Sequence, residues 1–129
     1  MSTTETSLVT GVDFVSVPAK DIAESEHFYG TVLGLPFVKQ WGDMPAKEFQ
    51  AGNLTLAVMD PTAFGRDFRA HELPIAFQVD DVAAAREQLE AQGVTFVTDI
   101  IDSGVCHQAI FQDPDGNSLD IHHRYAPKD

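Results

Sequence analysis

Apolar and polar positions run through the same succession of patterns twice along the chain. Each copy begins with a strand-like alternation, at residues 12–17 and again at 73–79, and continues into an amphipathic helix. Asp21 and Asp81 directly precede these helices, where a carboxylate accepts hydrogen bonds from the free N–H groups of the first turn. Glycines stand where both helical patterns end. The pattern therefore predicts two βαβββ modules.

Three further strands follow the helix in each module. They are predicted at 36–41, 47–51 and 54–59 in the first module and at 94–98, 105–112 and 118–123 in the second. A turn joins the last two strands of each module, Gly52-Asn53 in the first and Asp-Pro-Asp-Gly-Asn at 113–117 in the second. Aligning the modules on these turns places Gly52-Asn53 on Gly116-Asn117.

The repeat also sets the domain organisation and the fold class. The modules form a single domain at 11–125 of α+β class, in which two βαβββ modules form a curved mixed β-sheet. Because one helix covers only one face of such a sheet, the other face is expected to line a central cleft. The expected segments are a disordered or extended terminus at 1–10, module one at 11–60, a connector at 61–72, module two at 73–125 and a tail at 126–129.

Period-two alternation sorts the strand residues into two faces. The residues predicted to lie beneath the helices are Val15, Val17, Ile75, Phe77, Val79 and Ile121. The residues predicted to face the cleft are Phe14, Ser16, Leu56, Val58, Ala76, Gln78, Asp120 and His122. A one-residue slip in the register of a strand would exchange its two sets. Cys106 alternates opposite to His107 and is expected in the core.

Composition narrows the class of partner. The 129 residues hold 8 Lys and Arg against 20 Asp and Glu, a formal net charge of -12, so nucleic acid and anionic membrane surfaces are not expected partners. The lone Cys106 cannot form an intramolecular disulfide or a cysteine-based zinc site, which favours a reducing, cytoplasmic setting. Residues 1–7 are polar and do not read as a signal peptide. The expected partner is a small molecule.

Several short motifs occur in an order and spacing that resemble one known superfamily. They are Asp21, Phe28-Tyr29, Leu33-Gly34-Leu35, Phe77-Gln78-Val79-Asp80-Asp81-Val82, Asp113-Pro114-Asp115-Gly116-Asn117 and Leu119-Asp120-Ile121. Over about residues 11 to 125, the chain resembles the vicinal oxygen chelate superfamily. That superfamily includes glyoxalase I, extradiol dioxygenases, fosfomycin-resistance thiol transferases and bleomycin-resistance proteins. The resemblance implies a homodimer, because relatives often form one.

The resemblance also implies a divalent metal, which such enzymes hold through four side chains on the first and last strands of each module. In this chain those positions fall on Phe14, Leu56, Pro74 and Asp120. A hard divalent ion needs several oxygen or nitrogen ligands, and only Asp120 supplies one. We therefore expect no metal and no other cofactor.

The leading hypothesis is a metal-independent binder of a small hydrophobic or aromatic molecule, as the resemblance to bleomycin-resistance proteins implies. Trp41 ends its strand just before a loop at the expected cleft mouth, which makes it a candidate ligand contact. The full set of expected ligand-binding residues is Phe14, Ser16, Trp41, Leu56, Val58, Gln78, His107, Asp120 and His122. No catalytic residue is assigned.

Two alternatives remain open at this stage. The chain could be a lyase, dioxygenase or transferase with a displaced metal site that uses Asp120 and His122, with His107 and Gln78 nearby. His122 could instead act as a metal-free general acid or base. A third possibility is an interaction module without a ligand. Whether the cleft lies within one chain or between two is also open.

Overall fold

The computed structural model describes residues 7–127, so the first part of the expected extended terminus and the end of the tail lie outside the described residues. The described chain contains two four-stranded mixed sheets, each accompanied by a helix. The predicted α+β fold of two βαβββ modules is confirmed. Within residues 7–127, no helix is long and apolar enough to cross a membrane.

Module one starts with a strand, continues into a capped helix and ends in a hairpin. Its elements are β1 (Val15–Pro18), α1 (Ile22–His27), β2 (Phe37–Gln40), β3 (Ala46–Ala51) and β4 (Leu54–Met59). The Asp21 carboxylate accepts a hydrogen bond from the Glu24 N–H at 3.2 Å, as expected for the cap. A π-helical turn at Phe28–Val32 extends α1, and Gly34 ends it with a φ of 71°, which glycine adopts without strain. The strand order is β1-β4-β3-β2, with β1 and β4 parallel.

Module two repeats this arrangement. Its elements are β5 (Ile75–Gln78), α2 (Val82–Ala91), β6 (Ile101–Asp102), β7 (Cys106–Gln112) and β8 (Ser118–Arg124). The Asp81 carboxylate accepts a hydrogen bond from the Ala84 N–H at 3.0 Å and caps α2. The strand order is β5-β8-β7-β6, with β5 and β8 parallel, so the two sheets share one topology. A 3-10 helix at Pro61–Phe64 lies in the connector between the modules.

The strand predicted at 94–98 is wrong. This segment makes one bridge, between Phe96 and Phe111, and the short β6 begins three residues later. The two rings lie 5.1 Å apart, and the Thr98 hydroxyl accepts a hydrogen bond from the Ile110 N–H at 3.0 Å. One backbone hydrogen bond, from the Val97 N–H to the Ile110 carbonyl at 2.8 Å, remains, and side-chain contacts replace the rest of the ladder that the apolar alternation had indicated.

One hydrophobic core extends through both modules. Helix residues Phe28, Tyr29, Val82 and Leu89 pack in the same buried cluster as the inner faces of both sheets. The strand members of that cluster are Val17, Phe49, Leu56, Val58, Ala109, Phe111, Leu119 and Ile121. Because each sheet turns its apolar face towards this core, its other face, called the open face below, is left for other contacts.

A buried polar network joins the two modules. The Tyr29 hydroxyl donates to Asp113 Oδ2 at 2.6 Å, and the Asn117 amide donates to the same oxygen and to the Pro18 carbonyl, each at 2.8 Å. The Asn117 Oδ1 accepts from the His71 N–H at 2.8 Å. Burial, assisted by the charge of Asp113, raises the pKa of Tyr29, so its hydroxyl keeps the proton that it donates.

We expect Tyr29→Phe to lower the free energy of unfolding by about 1–3 kcal/mol, because it removes a donor from a buried carboxylate. Urea denaturation followed by circular dichroism measures the loss. The matched control is Tyr125→Phe, which removes a hydroxyl bonded to the exposed Asp102 at 2.7 Å. Water replaces that donor, so the loss should be much smaller. Equal losses in the two variants would contradict the role of the network.

Candidate functional site

The register of β1 and β4 decides which residues of module one share a face. Val15 and Val17 lie beside Leu56 and Val58, and all four belong to the core or pack against it. Lys47, which lies beside Val58 in the register, bonds Glu26 on α1 at 2.6 Å, so this face is turned towards the helix. The expectation that Leu56 and Val58 face the cleft is therefore wrong.

The error comes from the lengths of the two turns. A two-residue turn joins β3 to β4, whereas five residues join β7 to β8. Because side chains alternate between the two faces of a strand, an odd difference in turn length changes the face on which the next strand begins. The first residue of β4 therefore lies on the helix side, whereas the first residue of β8 lies on the open face. Ser16 lies beside Ala57 just as Ala76 lies beside Asp120. Ala57 rather than Leu56 is therefore the counterpart of Asp120.

The open face of module one carries an aromatic cluster, formed by Phe14, Trp41 and Phe64. The Phe14 and Trp41 rings meet edge to face with centroids 5.2 Å apart, and the Trp41 and Phe64 rings do so at 6.3 Å. Phe14 and Phe64 are 40% and 41% exposed. Exposed aromatic rings that group together on one face are typical of a surface that binds an apolar partner.

Three separate elements position this cluster. Phe14 directly precedes β1, Trp41 directly follows β2, and Phe64 ends the 3-10 helix of the connector. The Trp41 N–H donates to the Ala46 carbonyl at 3.0 Å, and its indole Nε1 donates to Glu48 Oε2 at 2.6 Å. The indole therefore has a satisfied polar edge and an orientation fixed by a carboxylate.

The open face of module two is polar and is centred on Asp120. In the register, Ala76 and Ile110 lie on either side of Asp120. Two residues further along β8, His122 lies between Gln78 and Gln108, and these three residues form what is called the polar row below. Their amides and imidazole offer both donors and acceptors to a bound molecule.

Asp120 is 2% exposed, and its Oδ1 has no hydrogen-bond partner within the described chain. Burial raises the pKa of its carboxyl, while the nearby His122 and the Ala109 amide lower it by less. Arg124 lies two residues beyond His122 on the same strand, but its guanidinium donates to the Pro127 carbonyl at 2.8 Å. Asp120 is thus a buried carboxyl with an unused acceptor.

His107 does not join this group. It lies beside His123 in the register, on the helix side of the sheet, and its Nε2 is 3.4 Å from Asp102 Oδ2. His107 was expected among the ligand-binding residues, but the pairing of β7 with β8 places it on the helix side rather than on the open face, with its side chain 44% exposed. Cys106 is buried as expected, but it lies beside Arg124 on the side of the open face.

The predicted site residues therefore fall into two groups. Phe14, Ser16 and Trp41 lie on the first sheet, and Gln78, Asp120 and His122 lie on the second. No hydrogen bond or aromatic contact within residues 7–127 connects the groups. Sequence reasoning missed Glu48 and Gln108 as site residues, because only the pairing register places them. Phe64 lies in the connector, where the sequence suggested a lid or a subunit contact, and it was not among the expected ligand-binding residues.

A separate groove of about 750 Å³ lies between the modules, along β5. Its walls come from residues 51–54, from the end of the first helical segment and from α2, with Gln88 and Gln92 among the lining residues. Gln78 also lines it, whereas the aromatic cluster and Asp120 do not. The groove therefore adds space beside the polar row but does not connect it to the aromatic cluster.

The residues present do not fit the divalent metal that the resemblance implies. Of the expected positions, Phe14 and Pro74 carry no donor atom, and neither Leu56 nor the true counterpart Ala57 carries one. Asp120 remains as a single carboxyl. Within residues 7–127, no group of three or more His, Cys, Asp or Glu side chains is placed to hold an ion.

The placement of Leu56 on the helix side of β4 can be tested by measuring stability. We expect Leu56→Ala to lower the free energy of unfolding by about 2–5 kcal/mol, because it opens a cavity in the core. Phe14→Ala, at a half-exposed position, should lower it by less than about 1 kcal/mol. Urea denaturation measures both values. A loss in Leu56→Ala as small as that in Phe14→Ala would place Leu56 on the open face again.

The raised pKa of Asp120 predicts a pH-dependent stability. The folded chain holds the proton of the Asp120 carboxyl more tightly than the unfolded chain does. The stability gained from this proton is therefore fully present below about pH 3.9 and is lost as pH rises through the raised pKa. Asp120→Asn cannot titrate there. Its free energy of unfolding, relative to the unsubstituted protein, should therefore increase with pH over that window. Denaturation between about pH 4 and about pH 8 tests this, and a constant difference would contradict it.

Comparisons with known proteins agree with this architecture. The family model described as "Glyoxalase/Bleomycin resistance protein/Dioxygenase superfamily" matches residues 11–121. A superfamily member from Sphaerobacter thermophilus DSM 20745 is similar in structure, with a TM-score of 0.78, 21% identity, and coverage of 91% of this chain and 99% of the other. No curated protein sequence matches significantly.

Two further similar structures differ in their described activities. A lactoylglutathione lyase from Agrobacterium tumefaciens has a TM-score of 0.74 at 21% identity, over 91% of this chain and 96% of its own. TnmS3, an antibiotic-binding protein from Streptomyces sp. CB03234, has a TM-score of 0.77 at 23% identity, over 92% and 99%. These likenesses show the fold, and the family model covers most of the sequence. The chain therefore belongs to the Glyoxalase/Bleomycin resistance protein/Dioxygenase superfamily.

Proposed function

We propose that this protein binds a small hydrophobic or aromatic molecule without a metal ion. The observation that carries the proposal is the aromatic cluster on the open face of module one, with two half-exposed phenylalanine rings around Trp41. Leaving such rings in water forgoes the favourable burial of apolar surface, and an apolar ligand would restore it. The Glu48 carboxylate holds the indole in place before the ligand arrives, which lowers the entropy cost of binding.

The chemistry at the expected metal positions supports the same proposal. A superfamily enzyme that uses its metal as a Lewis acid needs a set of ligands at these positions. Here Phe14 occupies one of them and at the same time belongs to the aromatic cluster. An aromatic ring in place of a ligand makes the position suitable for apolar contact. The antibiotic-binding protein among the similar structures is consistent with this use of the fold.

A cytoplasmic homodimer is the assembly that we propose. β1 and β5 are edge strands of their sheets, so each sheet has an unpaired edge beside its part of the site. A second copy could bring the aromatic cluster of one chain beside the polar row of the other. The ligand would then contact apolar rings on one side and amides and imidazole on the other. Nucleic acid and membranes remain unexpected partners because the net charge is -12.

One observation favours a second candidate function, acid–base catalysis by His122. His122 is close enough to Asp120 to affect the pKa of that carboxyl, and Gln78 and Gln108 flank the imidazole. A similar structure is that of a lactoylglutathione lyase. A bell-shaped dependence of turnover on pH that disappears in His122→Gln would establish catalysis. A displaced metal site gains no support from the described side chains.

Binding of the apolar dye Nile red tests the leading proposal. We expect Nile red to bind with increased fluorescence, and Phe14→Ala to weaken its affinity about tenfold or more, because one wall of the aromatic cluster is lost. Phe37→Ala is the matched control, since Phe37 is a 52% exposed phenylalanine that packs on Phe49 outside the cluster. Equal effects of the two substitutions would contradict the proposed site.

The same experiment tests metal independence. Treatment with EDTA should leave the affinity for Nile red unchanged, and elemental analysis of the purified protein should find far less than one equivalent of nickel, zinc, manganese or iron per chain. One retained equivalent that is lost in Asp120→Ala would overturn this part of the proposal and favour the enzyme.

A further inference from the structure

We infer that Asp120 accepts a hydrogen bond from an N–H or O–H group of the bound molecule. The ligand would then be an apolar or aromatic compound that carries an ammonium or a hydroxyl group. This inference deepens the proposed function and rests on it. It also gives a role to the one expected metal position that has kept a polar side chain.

The unused acceptor of Asp120 is the first observation behind this inference. Asp120 is 2% exposed as a residue, and its buried Oδ1 has no partner within residues 7–127. Buried polar atoms in proteins are nearly always hydrogen-bonded, so an exception at a candidate site points to a partner that arrives from outside. A donor on the ligand would remove the cost of the unpaired oxygen.

The Ala109 amide acts on the Asp120 carboxyl, but no described neighbour supplies a donor to its Oδ1. Ala76 and Ile110 flank it in the sheet, and both side chains are apolar. The guanidinium of Arg124, on the same face, donates through Nη2 to the Pro127 carbonyl, and its Nε has no partner within the described chain. None of the ion pairs found in the described chain involves Asp120. Apolar side chains therefore flank the carboxyl in the sheet, His122 is the nearby group that can carry a positive charge, and Oδ1 still has no donor within residues 7–127.

The surroundings also select against ligands that carry an acceptor alone. A carboxylate on the ligand would meet the carboxyl of Asp120 in a protein whose formal net charge is -12. Neither group would gain a donor from the contact, and both would lose water. An ammonium or a hydroxyl has the opposite effect, because it brings the missing proton donor and, for the ammonium, an opposite charge.

The proposed homodimer would bring the aromatic cluster of one chain beside Asp120 and the polar row of the other. Three naphthalene compounds that differ in one substituent therefore test this selectivity by displacing Nile red from that shared site. They are 2-naphthylmethylamine, which is protonated at neutral pH, 2-naphthol, which is a neutral donor, and 2-naphthoate, which is an acceptor. We expect the amine to displace the dye at a concentration at least roughly tenfold lower than the naphthoate does. In Asp120→Asn the ratio of the displacing concentration of the naphthoate to that of the amine should fall about tenfold. The naphthol arm shows whether a neutral hydroxyl is sufficient.

The matched control is Asp102→Asn, which removes one exposed carboxylate on the helix side. Asp102→Asn changes the net charge by the same amount as Asp120→Asn. If the preference for the amine over the naphthoate is unchanged in Asp102→Asn, that preference comes from the contact with Asp120 and not from the net charge of the protein. A ratio that stays unchanged in a folded Asp120→Asn overturns the inference. If that variant fails to fold, equal displacement by amine and naphthoate in the unsubstituted protein overturns it instead.

The outcomes distinguish this inference from the proposed function. Nile red binding that is weakened by Phe14→Ala, together with no preference among the naphthalenes, would leave the proposed function standing and remove the role of Asp120. Absence of Nile red binding would overturn both. A preference for the amine and the naphthol over the naphthoate, lost in Asp120→Asn, would support both.

Discussion

The Asp113 carboxylate is buried between the modules, and the rest of the architecture depends on its being satisfied there. Tyr29 reaches it from the first helical segment, and Asn117 reaches it from the turn before β8. The same Asn117 amide holds the end of β1 through the Pro18 carbonyl. A buried carboxylate that lost these donors would carry a large desolvation cost, so the modules have little freedom to slide past one another. The two open faces take their positions from this constraint.

Much of the fold could be predicted from local chemistry. The helix caps at Asp21 and Asp81 and the repeated order of elements were confirmed because each depends on neighbouring residues alone. The faces of β4 and β7 could not be predicted in this way, since they depend on pairing registers and on the parity of turn lengths. The segment 94–98 has a strand-like alternation, yet its side chains satisfy contacts that a ladder would otherwise make.

The candidate site was predictable to the same partial extent. Phe14 and Trp41 stood out because aromatic residues at strand ends are available for contact, and the structure places their rings together. Asp120 and His122 share a face because they are two residues apart on one strand. Glu48 and Gln108 carry no local signal, since their place in the site comes from the residues across from them.

The placement of Trp41 has a spectroscopic consequence. The sequence contains one tryptophan, so all indole emission of the protein comes from the middle of the aromatic cluster. Its Nε1–H bond to Glu48 ties the excited-state dipole of the indole to a fixed negative charge. The colour and lifetime of this emission therefore report directly on what lies against the rings, without any added label.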